Sequence, residues 1–97
     1  MHLDPAQLSA LAAVITTGSF ELAAAQLGVT PSAISQRIKA LENRIGAVLT
    51  QRGAPCIATP EGARLARHAA DVALLERQLA AEIGQETEPV RQLHLHD

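Results

Sequence analysis

TPSAISQRIKALENRI, residues 30–45, is the stretch on which the fold turns. Thr30 brings a hydroxyl to cap a first helical turn, and Pro31 after it has a φ already set for a helix and no N–H to leave unsatisfied. Stepping about 100° per residue stacks Ile34, Ile38, Leu41 and Ile45 on one stripe, the spacing of a helix that faces a core on one side. The opposite side collects Ser32, Gln36, Lys39 and Asn43, with Ser35 on one flank and Arg37 and Arg44 on the other. Hydroxyls, amides and cations of this reach hydrogen-bond base edges and phosphates, and a helix of this width fits the major groove of B-form DNA. An ordinary solvated helix face has a similar composition, so the flanking sequence has to decide.

Upstream, Ser19 is placed to cap a helix over Phe20 to Leu27, in which Ala23 and Ala24 are small enough to let another helix approach closely. Gly28-Val29 is then the whole connection to the Thr30 cap. A small residue, a turn glycine suited to a left-handed conformation and a buried Ile34 at these offsets spell a helix-turn-helix, with a plain helical hairpin as the alternative. A first helix opens at Asp4-Pro5, with Gln7 completing a capping-box-like arrangement. Its stripe is Leu8, Leu11, Ala12 and Ile15, and it runs to about Thr17 and stops near Gly18.

Downstream, Gly46 closes the central helix, and LTQRGAPCIAT is too marked by glycine and proline for another. We read it as a hairpin with strands Leu49 to Arg52 and Cys56 to Ala58 and a Gly53-Ala54-Pro55 tip. A hairpin directly after a recognition helix is a wing, from which Arg52 can enter a minor groove or hold a phosphate, if it is more than a surface arginine. Thr59, Pro60 and Glu61 spell a further helix start. Leu65, Ala69, Val72, Leu75, Leu79 and Ile83 follow at steps of three and four as far as Gly84, roughly 37 Å at 1.5 Å per residue. A helix with so long a stripe needs a partner, most simply the same helix of a second copy, because part of the stripe outruns a small core. Folding back on its own domain is the alternative. The tail after Gly84 reads as a linker and frayed end, and its His94, His96 and Asp97 lack a fourth ligand for a metal.

Composition agrees. With 47% hydrophobic residues among 97 and Phe20 as the single aromatic, the core has to be aliphatic and helical. No apolar run is long enough to cross a bilayer and the first residues lack a signal-peptide pattern, so a cytoplasmic location is expected. Cys56 has no disulfide partner and is expected as a small apolar filler, not a redox group. Net charge is −2, yet between Thr30 and Arg67 six basic residues (Arg37, Lys39, Arg44, Arg52, Arg64, Arg67) face two acids, Glu42 and Glu61. Local potential, not net charge, governs contact with phosphates. No catalytic motif is present, so no enzyme activity, cofactor or metal is expected.

LSALAAVITTGSF, LAAAQLGVTPSAISQRIKALENRIG, the Leu49 to Arg52 strand and the TPEG helix start together resemble the amino-terminal DNA-binding domain of LysR-type transcriptional regulators, over nearly all of residues 3–84. TPSAISQRIKALEN looks especially like the branch controlling export of lysine and arginine. The resemblance implies a mainly α, winged helix-turn-helix over residues 1–58, and a linker helix over 59–84 that pairs two protomers through Leu65, Val72, Leu75, Leu79 and Ile83. Residues 85–97 form a tail, with VRQLHLH as the start of an effector domain. It also implies that a dimer meets an inverted repeat in double-stranded DNA through Thr30, Ser32, Ser35, Gln36, Arg37 and Lys39, with Arg52 in the wing. An effector, by resemblance to that branch a basic amino acid, enters only with a carboxy-terminal domain. Thr50 departs from the family, standing where many members carry phenylalanine. The competing function is a protein-interaction module that uses the same helices without touching DNA.

Overall fold

Side-chain caps decide where the first three helices begin. The computed structural model describes the backbone of residues 2–96 and the side chains of residues 2–84. Its elements are α1 (Pro5–Thr17), α2 (Phe20–Leu27), α3 (Pro31–Ile45), β1 (Thr50–Gln51), β2 (Ile57–Ala58) and α4 (Pro60–His96). Ala6 N donates to Asp4 Oδ1 at 2.8 Å, Leu22 N to Ser19 Oγ at 3.1 Å and Ala33 N to Thr30 Oγ1 at 3.1 Å. Each such cap contributes about 1 kcal/mol. Gly18, Gly28 and Gly46 end the same helices at φ 75°, 70° and 82°. At Gly28 an added Cβ would meet nothing within 4 Å, so backbone angle, not space, demands glycine in the turn. The Asp4/Gln7 capping box is only half made. Asp4 bonds the second helical N–H, which leaves Gln7 Oε1 buried and without a hydrogen-bond partner.

α1 buries two faces instead of the single expected stripe. Ala10, Ala13 and Val14 pack with Ala23, Ala24, Ile34, Ile38 and Cys56, while Leu8 and Leu11 pack with Leu41 and Leu49 on another side. Ala12 is only half-buried. The helix packs on α2, α3 and α4, with α3 contributing to both clusters, so small alanines are as much core as the leucines are. Ala23 and Ala24, 0% and 2% exposed, give α2 its close approach, and Cys56 fills the apolar place expected of it.

The wing is shorter than read from the sequence: β1 and β2 pair antiparallel with Thr50 opposite Ala58 and Gln51 opposite Ile57. Cys56 is outside the ladder because its N–H donates to Gly18 O at 2.8 Å, which ties the wing to the α1–α2 turn. Thr50, in the place of the family's phenylalanine, is buried. Two bonds join the wing to the start of α4, and a third caps that helix. Thr59 N donates to Leu49 O at 3.1 Å, Thr59 Oγ1 donates to Val48 O at 2.7 Å, and Gly62 N donates to Thr59 Oγ1 at 3.1 Å. Gly62 packs directly on the Leu49 carbonyl.

α4 runs over Pro60–His96, past the expected stop. Gly84 has no left-handed φ to turn the chain, and a glycine inside a helix costs only about 1 kcal/mol relative to alanine. The VRQLHLH segment expected to start an effector domain continues α4 as helix through His96, and the side chains of His94, His96 and Asp97 lie outside the described residues.

Candidate nucleic-acid interface

α3 is seated on Ile34, Ile38 and Leu41, which are 0%, 3% and 0% exposed, with Ile45 half-buried at its end. Those anchors turn the other face outward: Thr30, Ser32, Gln36, Lys39, Asn43 and Arg44 are exposed, and Ser35 and Arg37 are half-buried. No side-chain hydrogen bond within the described residues holds Gln36, Arg37 or Lys39. Their donors and acceptors remain open to an incoming ligand. Thr30 Oγ1 accepts from Ala33 N as the cap, which leaves its O–H proton free to donate outward. The sequence treated Glu42 only as a countercharge, but its Oε2 accepts from Leu49 N at 2.9 Å and fixes the entry to the wing. A backbone N–H as partner gives no side-chain pattern by which to find such a contact.

Arg52 is exposed, and its Nη2 donates to Ser35 Oγ at 3.0 Å while its guanidinium carbon lies 4.1 Å from the centroid of the Phe20 ring. Wing, α2 and α3 therefore converge on this one side chain, beside the polar face of α3. Phe20 was legible only as the start of α2. Its being the sole aromatic of the chain was the one available signal.

The stripe on α4 divides. Leu65 and Ala69 pack on the Leu8, Leu11, Leu41 and Leu49 cluster of their own chain, so the nearness of α1 gives Leu65 a partner within its own domain, the alternative to pairing with a second copy. Val72 is half-buried beside Leu3 and Leu8. Beyond it Leu75, Leu79 and Ile83 are 63%, 55% and 50% exposed, joined by Leu74. No helix of the described residues is long and apolar enough to cross a membrane, and none of those residues gather as three metal ligands.

Residues 5–63 match the family of bacterial regulatory helix-turn-helix proteins designated lysR. The chain is 57% identical over 83 residues to the HTH-type transcriptional regulator LysG of Mycobacterium tuberculosis, covering 86% of this chain and 27% of that protein. Among solved structures, the full-length LTTR LysG of Corynebacterium glutamicum with bound effector Arg superposes with a TM-score of 0.84 at 40% identity, over 87% of this chain and 29% of that one. The BenM DNA-binding domain in complex with benA site 1 DNA gives 0.81 at 27% identity, over 88% and 97%. The chain thus spans under a third of the length of the LysG proteins it matches.

Proposed function

The chain belongs to the lysR family of bacterial regulatory helix-turn-helix proteins, and from that premise we propose that it binds double-stranded DNA sequence-specifically as the DNA-binding part of a transcriptional regulator. The observation that carries this reading is the face of α3, whose Gln36 and Lys39 stand exposed above a sealed apolar base of Ile34, Ile38 and Leu41. In the major groove Ser32 and Gln36 face base edges, while Arg37, Lys39 and Arg52 neutralise phosphates and Thr30 and Ser35 add hydroxyl donors.

The active unit in this proposal is a homodimer joined through the distal α4 residues Leu75, Leu79 and Ile83, with Val72 at the edge of the seam. Their exposure supports a partner helix, and two copies of α3 then meet an inverted repeat. The Arg-bound LysG supports a basic amino acid as the effector of a longer form of this chain. A regulator of this kind works in the cytoplasm.

The test is a titration across salt concentrations on two duplexes, one selected from a random library by the unchanged chain and one of scrambled sequence. Affinity should fall with salt at a logarithmic slope of about −0.9 per neutralised phosphate. Gln36→Ala should cost about 1–3 kcal/mol on the selected duplex and little on the scrambled one. Equal losses on both would reject base reading by Gln36, and an affinity indifferent to salt would reject DNA binding by this face.

A further inference from the structure

Arg52 is on the wing, Ser35 on the recognition helix and Phe20 at the first turn of α2, yet the three side chains form one cluster. The guanidinium lies over the ring face of Phe20 at 4.1 Å and donates to Ser35 Oγ at 3.0 Å. A cation over an aromatic face is attracted by the ring quadrupole, and a guanidinium stacked in this way keeps its edges available for hydrogen bonding. One of its five N–H groups is taken by Ser35, and the others remain. Ser35 accepts that bond, so its own O–H proton is left to point elsewhere. The cluster therefore turns guanidinium N–H groups and a hydroxyl donor outward, in the notch between wing and α3, which suits an anionic oxygen.

We infer that Phe20 is a positioning residue: its ring face and the Ser35 hydroxyl hold the Arg52 guanidinium so that wing and recognition helix meet one stretch of DNA backbone as a single preorganised donor group. The inference rests on the DNA-binding reading and deepens it. An arginine on a short hairpin would otherwise lose side-chain freedom on binding, a loss that a guanidinium already held in place avoids. Phe20 touches no DNA in this scheme. It acts through Arg52, and its effect is blind to base sequence because phosphate is what Arg52 meets.

The experiment is a double-mutant cycle on the selected and scrambled duplexes with Phe20→Leu, Phe20→Tyr, Arg52→Ala and the Phe20→Leu/Arg52→Ala pair, each checked for helicity by circular dichroism. Phe20→Leu should weaken binding about three- to tenfold on both duplexes, the range of a partly desolvated cation–π contact. Phe20→Tyr keeps a ring face and should bind as the unchanged chain does. In the Arg52→Ala background Phe20→Leu should add no further loss, because the group it positions is gone. In the free chain the Arg52 Nε–H proton resonance should be displaced by the ring current of Phe20, and should return toward its ordinary position in Phe20→Leu. An undiminished Phe20→Leu loss in the Arg52→Ala background, or equal losses for leucine and tyrosine, would overturn the inference while leaving DNA binding standing. An unchanged chain that binds neither duplex, or an Arg52→Ala variant that binds as well as it, would overturn the DNA reading of the wing and this inference with it.

Discussion

The same substitution, glycine to alanine, should act with opposite sign at two places on α4. At Gly62 an added Cβ would fall inside the Leu49 carbonyl oxygen and lie 2.9 Å from its carbon and 3.2 Å from Leu49 Cα. Carbon atoms pack at about 3.5–4.0 Å, so the Leu49 backbone and α4 must separate by about 1 Å. The atoms in the way are backbone and cannot swing aside. Separation also stretches the Thr59 N to Leu49 O bond, now 3.1 Å, and lifts Leu49 from a site where it is fully buried. Overpacking of this kind costs about 1–3 kcal/mol and the strained bond about 1 more, against a helix-propensity gain of about 1 for alanine. The balance is a destabilisation of about 1–3 kcal/mol, or a Tm lower by about 4–24 °C in a domain of this size. At Gly84 an added Cβ would meet nothing within 4 Å, and φ is not in the left-handed region. Alanine there should stabilise by about 0.5–1 kcal/mol by restricting the unfolded chain and favouring the helix, raising Tm by about 2–8 °C. Thermal unfolding followed by circular dichroism, at one fixed protein concentration because a dimer's Tm depends on it, reads both changes. A Gly62→Ala Tm within a degree or two of the parent, or shifts of the same sign at both glycines, would refute the close wing-to-helix contact.

Two further outcomes are expected. Replacing Leu75 and Leu79 with lysine should give a monomer by sedimentation equilibrium with the helicity of α1 to α3 retained, since both side chains stand away from the core of their own chain; an unchanged mass would remove the distal α4 seam from the assembly. Glu42→Ala leaves the Leu49 N–H without its 2.9 Å acceptor, and should cost about 1–3 kcal/mol in urea unfolding with an unchanged m-value; a stability equal to the parent's would show that solvent replaces the carboxylate there.

What the sequence disclosed and what it withheld follow from the range of the contacts. Asp4, Ser19 and Thr30 cap a backbone N–H two or three residues away, and Gly18, Gly28 and Gly46 impose a local φ, so a linear reading reaches them. The α3 stripe was equally legible because one helix face answers to one core. α1 was misread because two cores claim it, and a period search for a single stripe passes over Ala10 and Ala13. The contacts that build the wing run between residues far apart in sequence or end on backbone atoms: Gly62 on Leu49, Leu49 on the Glu42 carboxylate, Arg52 on Ser35 and Phe20. No residue type or spacing announces a partner of that kind. Extension of α4 past Gly84 was missed because a mid-helix glycine and a terminal one look alike until φ is known.

The placement of α1 between two packed clusters makes it a bulkhead. α2 and residues Ile34 and Ile38 of α3 lean on Ala10, Ala13 and Val14, while Leu8 and Leu11 bear Leu41 of α3 together with Leu65 and Ala69 at the near end of α4. A change of volume in either compartment presses on a wall that the other also uses. Substitutions across that wall will therefore fail to add, and sequence drift on the side that carries α4 is constrained by the side that carries the recognition helix.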